Sequence, residues 1–66
     1  MGERVRIKEG WDGAGREGVL ITYGIAVNGT RWTGVQWDGE DDPDWHKTDG
    51  LEIATTEWRS FKPIKE

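Results

Sequence analysis

"ERVRIKEGWDGAGREGVL", residues 3–20, decides how the rest of the chain is read. Its opening alternates strictly, with Val5 and Ile7 facing one way and Arg4, Arg6 and Lys8 the other. That period of two marks a half-buried strand. The alternation stops at Gly10, and the following "WDGAG" is rich in residues that tolerate positive φ, so a sharp loop is expected there. From Glu17 the chain resumes as "EGVLITYGIAV", a long second strand with Val19 and Ile21 on one face and Leu20 and Thr22 on the other. Gly18 and Gly24 within it predict a bulge or bend where the sheet curls. Strand, glycine corner and longer strand together set an all-β course.

Working outward, Asn28-Gly29 predicts a two-residue type I′ hairpin, whose central positions both need φ above zero. The returning strand "TRWTGVQWD" puts Val35 and Trp37 on one face and Trp32 and Gln36 on the other. "GEDDPD" must turn, because Pro43 cannot donate to a ladder and closely packed like charges seek solvent. "WHK" resumes an extended segment, "TDG" is a tight turn and "LEIA" a last short strand. In the tail, Trp58 and Phe61 are spaced i, i+3, which fits either a single helical turn or an irregular segment. Short strands at this spacing predict a small five-stranded barrel, closed or nearly so, over residues 3–54. A tail over 55–66 completes a single domain spanning 1–66.

The chain has 66 residues, and a domain of that size buries only about 60% of its unfolded surface. Five tryptophans, one tyrosine and one phenylalanine are the expected compensation, each burying on the order of 150–250 Å². Self-association is the other route by which so small a chain gains stability. There is no cysteine, which excludes disulfides and thiolate metal sites. No run approaches the roughly 18 apolar residues of a membrane span, and the N-terminus has no charged-then-apolar leader, so a cytoplasmic setting is expected. Thirteen acidic residues against nine basic ones leave a net charge of −4, which argues against a protein built mainly to neutralise phosphate.

The first third of the chain resembles a KOW motif, and the whole resembles the SH3-like small barrels. Val5, Ile7, Gly10, Gly15, Gly18 and Leu20 carry the first likeness, over residues 5–23. "WDGA" makes the loop about one residue longer than the usual spacing, and Trp11 is not typical there. "TDGLE" is similar to the short turn and closing strand of these barrels, which would make Leu51 a core residue. The resemblance implies a binding module, since relatives contact RNA, ribosomal or polymerase proteins, peptides or modified histone tails. A second, remote resemblance is to the type II dihydrofolate reductases, which begin with a similar "GERVR" strand. Val35-Gln36-Trp37 partly matches their V-Q-I-Y pore segment, but falls in the third strand instead of just before the closing turn. That likeness would imply a tetrameric enzyme.

Two candidate surfaces follow. In the first, Tyr23, Trp32 and Trp45 form an aromatic groove or a cage for a cationic side chain. Asp41, Asp42 and Asp44 then steer a basic protein or peptide toward it. In the second, RNA or single-stranded DNA binds through Trp11 on the glycine loop, with Arg4, Arg6, Lys8 and Arg16 close by. Trp11 also has a plainer reading, as a lid folded back on a small core. The run "DGEDDPD" lacks the spacing of an EF-hand loop and reads as a solvated charge cluster. His46 is the only histidine, with no cysteine to share a zinc ion, and Ser60 has no visible activating base. A non-catalytic role without cofactor or metal is therefore expected.

Overall fold

The computed structural model describes residues 3–54 and 60–64. Among these described residues, six strands run in chain order: β1 (Arg4–Ile7), β2 (Glu17–Ile25), β3 (Arg31–Trp37), β4 (Asp44–Lys47), β5 (Leu51–Ala54) and β6 (Phe61–Pro63). A 3₁₀ turn over Thr48–Gly50 leads into β5. All pairings are antiparallel, and the strands form one open sheet in the order β4-β3-β2-β1-β5-β6. Among the described residues, no helix is long and apolar enough to cross a membrane.

The alternation of the first strand translates directly into burial. Val5 and Ile7 are buried, and they join Val35, Trp37 and Leu51 in a single core cluster. Strands β3 and β5 are not neighbours in the sheet, so their side chains meet only because the sheet curls over itself. Leu20, Ile53 and Ile64 pack partly against the same cluster. Each fully buried aliphatic side chain contributes about 1.5–3 kcal/mol, which makes every member of so small a core important.

Curling needs close strand contact at Gly18. A β-carbon there would lie 2.6 Å from the Gln36 carbonyl oxygen and 2.7 Å from Val35 Cγ1. Strand β2 is irregular, but at a register shift between Leu20 and Thr22 and not at Gly18 or Gly24, where the sequence predicts it. The first loop is stitched by Gly15 N–H to Ile7 O at 2.9 Å and by Lys8 N–H to Gly50 O at 2.8 Å. Gly10, Gly13 and Gly15 take φ of 89°, 78° and 91°, which is the conformation that the glycine-rich spacing predicts.

Three expectations are corrected. The sheet is open and has six strands, where a five-stranded barrel was predicted. The sixth strand comes from the tail: Phe61–Pro63 pairs with β5, so Phe61 is in a strand and not in a helical turn. Trp58, the other half of that reading, lies outside the described residues. The hairpin at Asn28-Gly29 forms, but not as type I′, because only Gly29 has positive φ. Ala26 N–H donates to Thr30 O, Gly29 N–H donates to Ala26 O, and Thr30 N–H donates to Asn28 Oδ1. This is the three-residue loop with a glycine bulge, reached by one further residue on the strand side.

Candidate aromatic groove

The groove is built by strand alternation across β2, β3 and β4. Thr33, Val35 and Trp37 of β3 point into the core, so Trp32, Gly34 and Gln36 point outward. Register places Thr22 and Trp45 beside Gly34, and Gly24 and Lys47 beside Trp32, on that outer face. Two glycines in adjacent rows leave a trough, and the Trp45 indole lies in it. A β-carbon on Gly24 would sit 3.3 Å from the ring, and one on Gly34 would sit 3.8 Å from it.

Trp45 thereby becomes a ridge between two depressions. On one side a groove of about 450 Å³ is lined by Gly24, Ile25, Ala26, Trp32 and Trp45. On the other, a smaller hollow of about 130 Å³ is lined by Ile21, Thr22, Gly34, Pro43, Asp44 and Trp45. Trp45 keeps 53% of its surface exposed, and Trp32 is half-buried. Asp41 and Asp42 are exposed at the acidic end, and among the described residues neither they nor Asp44 forms a salt bridge. Asp44 does accept a hydrogen bond from the Trp45 N–H at 2.8 Å.

Tyr23 does not join this set. It pairs with Thr33, so it shares the inner face. There it lines a separate depression with Glu3, Ile53, Lys62, Pro63 and Ile64. A three-aromatic cage of Tyr23, Trp32 and Trp45 is therefore not formed. The register shift before Thr22 sets that outcome, because a shift of one residue exchanges the faces of everything beyond it.

The second predicted surface is largely engaged with itself. Arg4 binds Asp38 and Glu17, Arg6 binds Glu52, Arg16 binds Glu40 and Arg31 binds Asp49. Arg6 also stacks over Phe61 at 4.0 Å, and Arg16 lies over Trp37 at 4.8 Å. The Asp38 carboxyl is held below its ordinary range by hydrogen bonds from the Arg4 guanidinium, and Arg4 is correspondingly raised by Asp38 and Glu17. Lys8 is half-buried at the end of β1 and forms no salt bridge among the described residues.

Trp11 folds back against the turn before β5 and stays partly exposed. Its ring covers Gly50 so closely that a β-carbon there would fall 2.7 Å from Trp11 Cδ2 and Cε3. The same ring is 5.8 Å from His46, and His46 in turn meets Trp37 edge-on at 6.1 Å. Trp11 thus caps one end of the core through His46, with 37% of its surface still exposed.

Sequence reasoning identified the two groove tryptophans but missed their floor. In the sequence Gly24 signals a bulge or bend, and nothing marks Gly34. The signal was present as glycines in neighbouring strands, yet their alignment depends on the hairpin loop and the bulge. Ile25, Ala26 and Pro43 were missed for the same reason. Among known proteins, the chain matches no family model, no curated protein and no solved structure.

Proposed function

We propose that this protein is a non-catalytic cytoplasmic binding module that recognises a protein or peptide of basic character through the Trp32–Trp45 groove. One observation carries the reading: an exposed indole is seated between two depressions, one of them lined by Asp44, which forms no salt bridge among the described residues. Large apolar surfaces on small domains mark contact sites, and unpaired charge beside them selects the partner. A lysine or arginine side chain fits the smaller hollow, with its stem against Pro43 and its cation between Asp44 and the Trp45 ring. An apolar neighbour fits the larger groove.

The contact is by the sheet face more than by its edge. Ala26 is hydrogen-bonded to Thr30, so alternation turns the backbone groups of Trp45 and Lys47 away from β3. Two of those outward groups are already engaged: Trp45 N–H by Asp44, and Lys47 C=O by the His46 ring nitrogen at 2.9 Å. Added strands need such groups in sequence.

We propose an SH3-like architecture for this module, with its sheet curled but left open. The support is the strand order β4-β3-β2-β1-β5, the 3₁₀ turn before β5 and the KOW-like spacing of the first loop. Nucleic-acid binding through the first loop is the weaker reading, because each arginine among the described residues already has a carboxylate partner. The reductase reading has no feature of the groove in its favour.

The test is a ¹⁵N–¹H spectrum, with the indole signals assigned, during addition of a pool of lysine- and arginine-containing peptides or of a mixed-sequence RNA. The expected result is movement of the Trp32 and Trp45 indoles with peptide at physiological salt, and none with RNA. Movement of Trp11 and of the Arg4–Lys8 amides with RNA at that salt would overturn the proposal.

A further inference from the structure

Trp45 crosses the outer face from β4, past Gly34, to Gly24, and so divides that face along the strands. From β2, Ile21 and Thr22 line the hollow on one side, and Gly24 and Ile25 line the groove on the other. The two depressions are offset by three to four strand residues, about 10–13 Å at the rise of an extended chain. Their charges differ as well. Asp44 lines the hollow, whereas register puts Lys47 beside Trp32 at the groove. Lys47 is exposed and forms no salt bridge among the described residues.

We propose that the partner presents an extended segment in which one lysine or arginine and one large apolar residue stand four positions apart, with a small residue midway. The inference rests on the groove reading and specifies its ligand. In an extended chain alternate side chains share a face, so residues two apart are separated by about 6.6 Å and residues four apart by about 13 Å. Only the wider spacing spans the Trp45 ridge. The cation then enters the hollow at Asp44, and the apolar side chain enters the groove beside Trp32 and Ile25. The side chain between them stands over the Trp45 ring, where bulk would lift the whole segment away.

Lys47 adds a repulsive element. A second cation beside the apolar residue would face its ammonium group, so the site selects a segment that is basic at one point and not along its length. That separates the partner from a uniformly basic tail, which Asp41, Asp42 and Asp44 alone would attract. The site holds side chains and not backbone, so the same spacing serves either chain direction.

Short peptides with capped ends test it, read by the Trp32 and Trp45 indole signals at physiological salt. Each carries one lysine and one leucine, spaced by two, four or six positions in either order, with alanine elsewhere on that face. In the order that binds more tightly, the spacing of four should lead the others by about tenfold, the worth of seating one aliphatic side chain in part. Isoleucine in place of the middle alanine should cost a similar factor. A second lysine just beyond the leucine should weaken binding to the native chain and strengthen it in Lys47→Glu. Lys62→Glu changes the net charge equally from the other edge of the sheet and should not reproduce that gain. Affinity indifferent to spacing, or highest at another spacing, would overturn the proposal and leave the groove as a binding site. An equal response to the second lysine in the native chain and in Lys47→Glu would overturn it too. Indoles that move with none of the peptides would overturn the groove reading itself.

Discussion

The Trp45 indole rests on the backbone of Gly24, with ring atoms 3.3 Å from where a β-carbon would be. That spacing is tight but faces an exposed side chain that can move. Gly24→Ala is therefore expected to fold with less than about 1 kcal/mol of loss and to tilt Trp45 out of its seat. The Trp45 indole signal should shift, and binding of basic peptides should weaken several-fold.

Gly18→Ala makes the contrasting case. Its β-carbon would meet the Gln36 carbonyl at 2.6 Å, a backbone atom held in the β2–β3 ladder. Relief requires strand separation beside Val35 and Trp37. A loss of about 1–3 kcal/mol is expected from overpacking alone. Denaturant titration of the two alanine variants side by side checks the difference.

Thr33 and Thr48 hold their hydroxyls 2.7 Å apart in the interior, joining β3 to the 3₁₀ turn. Both residues are buried. Thr48→Val strands the Thr33 hydroxyl and should cost about 1–3 kcal/mol, whereas the double change to valine should cost less than the sum of the single changes. A double-mutant cycle in urea measures that coupling.

Arg4 and Asp38 predict a small acid-side dependence. Asp38 binds its proton less readily in the folded chain, because Arg4 donates hydrogen bonds to the ionised form. The stabilisation is thus fully present above the ordinary value of 3.8 and is lost as the pH falls through the lowered folded value. Both side chains are exposed, so solvent screening keeps the effect on stability slight. Carboxyl NMR should show Asp38 titrating below the ordinary range in the native chain and returning to it in Arg4→Gln.

Gly50→Ala should dislodge Trp11. Its β-carbon would meet both the Trp11 ring and His46 Cε1 at 2.7 Å. The expected outcome is a more exposed Trp11, seen as red-shifted fluorescence, with the Trp32 and Trp45 indole signals unmoved.

Much of this architecture is legible from residue order alone. Alternation in "RVRI" and "VQW" named Val5, Ile7, Val35 and Trp37 as core, and the resemblance of "TDGLE" to a closing turn named Leu51. The glycine loop could be located because positive φ is a local demand. The number of strands was less legible, since Phe61–Pro63 has no alternation long enough to register, and Pro63 reads as a breaker. Its pairing with β5 comes from the partner strand and not from its own residues.

The candidate site divides along the same line. Its ingredients, Trp32, Trp45 and the acidic run, are composition and can be read in order. Their assembly is not, because a bulge between Leu20 and Thr22 sends Tyr23 to the inner face and brings Gly24 beneath Trp45. Likewise, the basic residues of the first strand and loop looked available as charges in a list. Only folding showed the arginines facing Asp38, Glu17, Glu52 and Glu40 across strands.

Sequence by itself determined the strand course, the first corner and the core side chains, since these depend on near neighbours and on burial with a period of two. Tertiary structure decided which residues share a face, which charges neutralise each other and where a groove opens. Those are properties of register and curl, and they arise only when strands distant in the chain are set side by side.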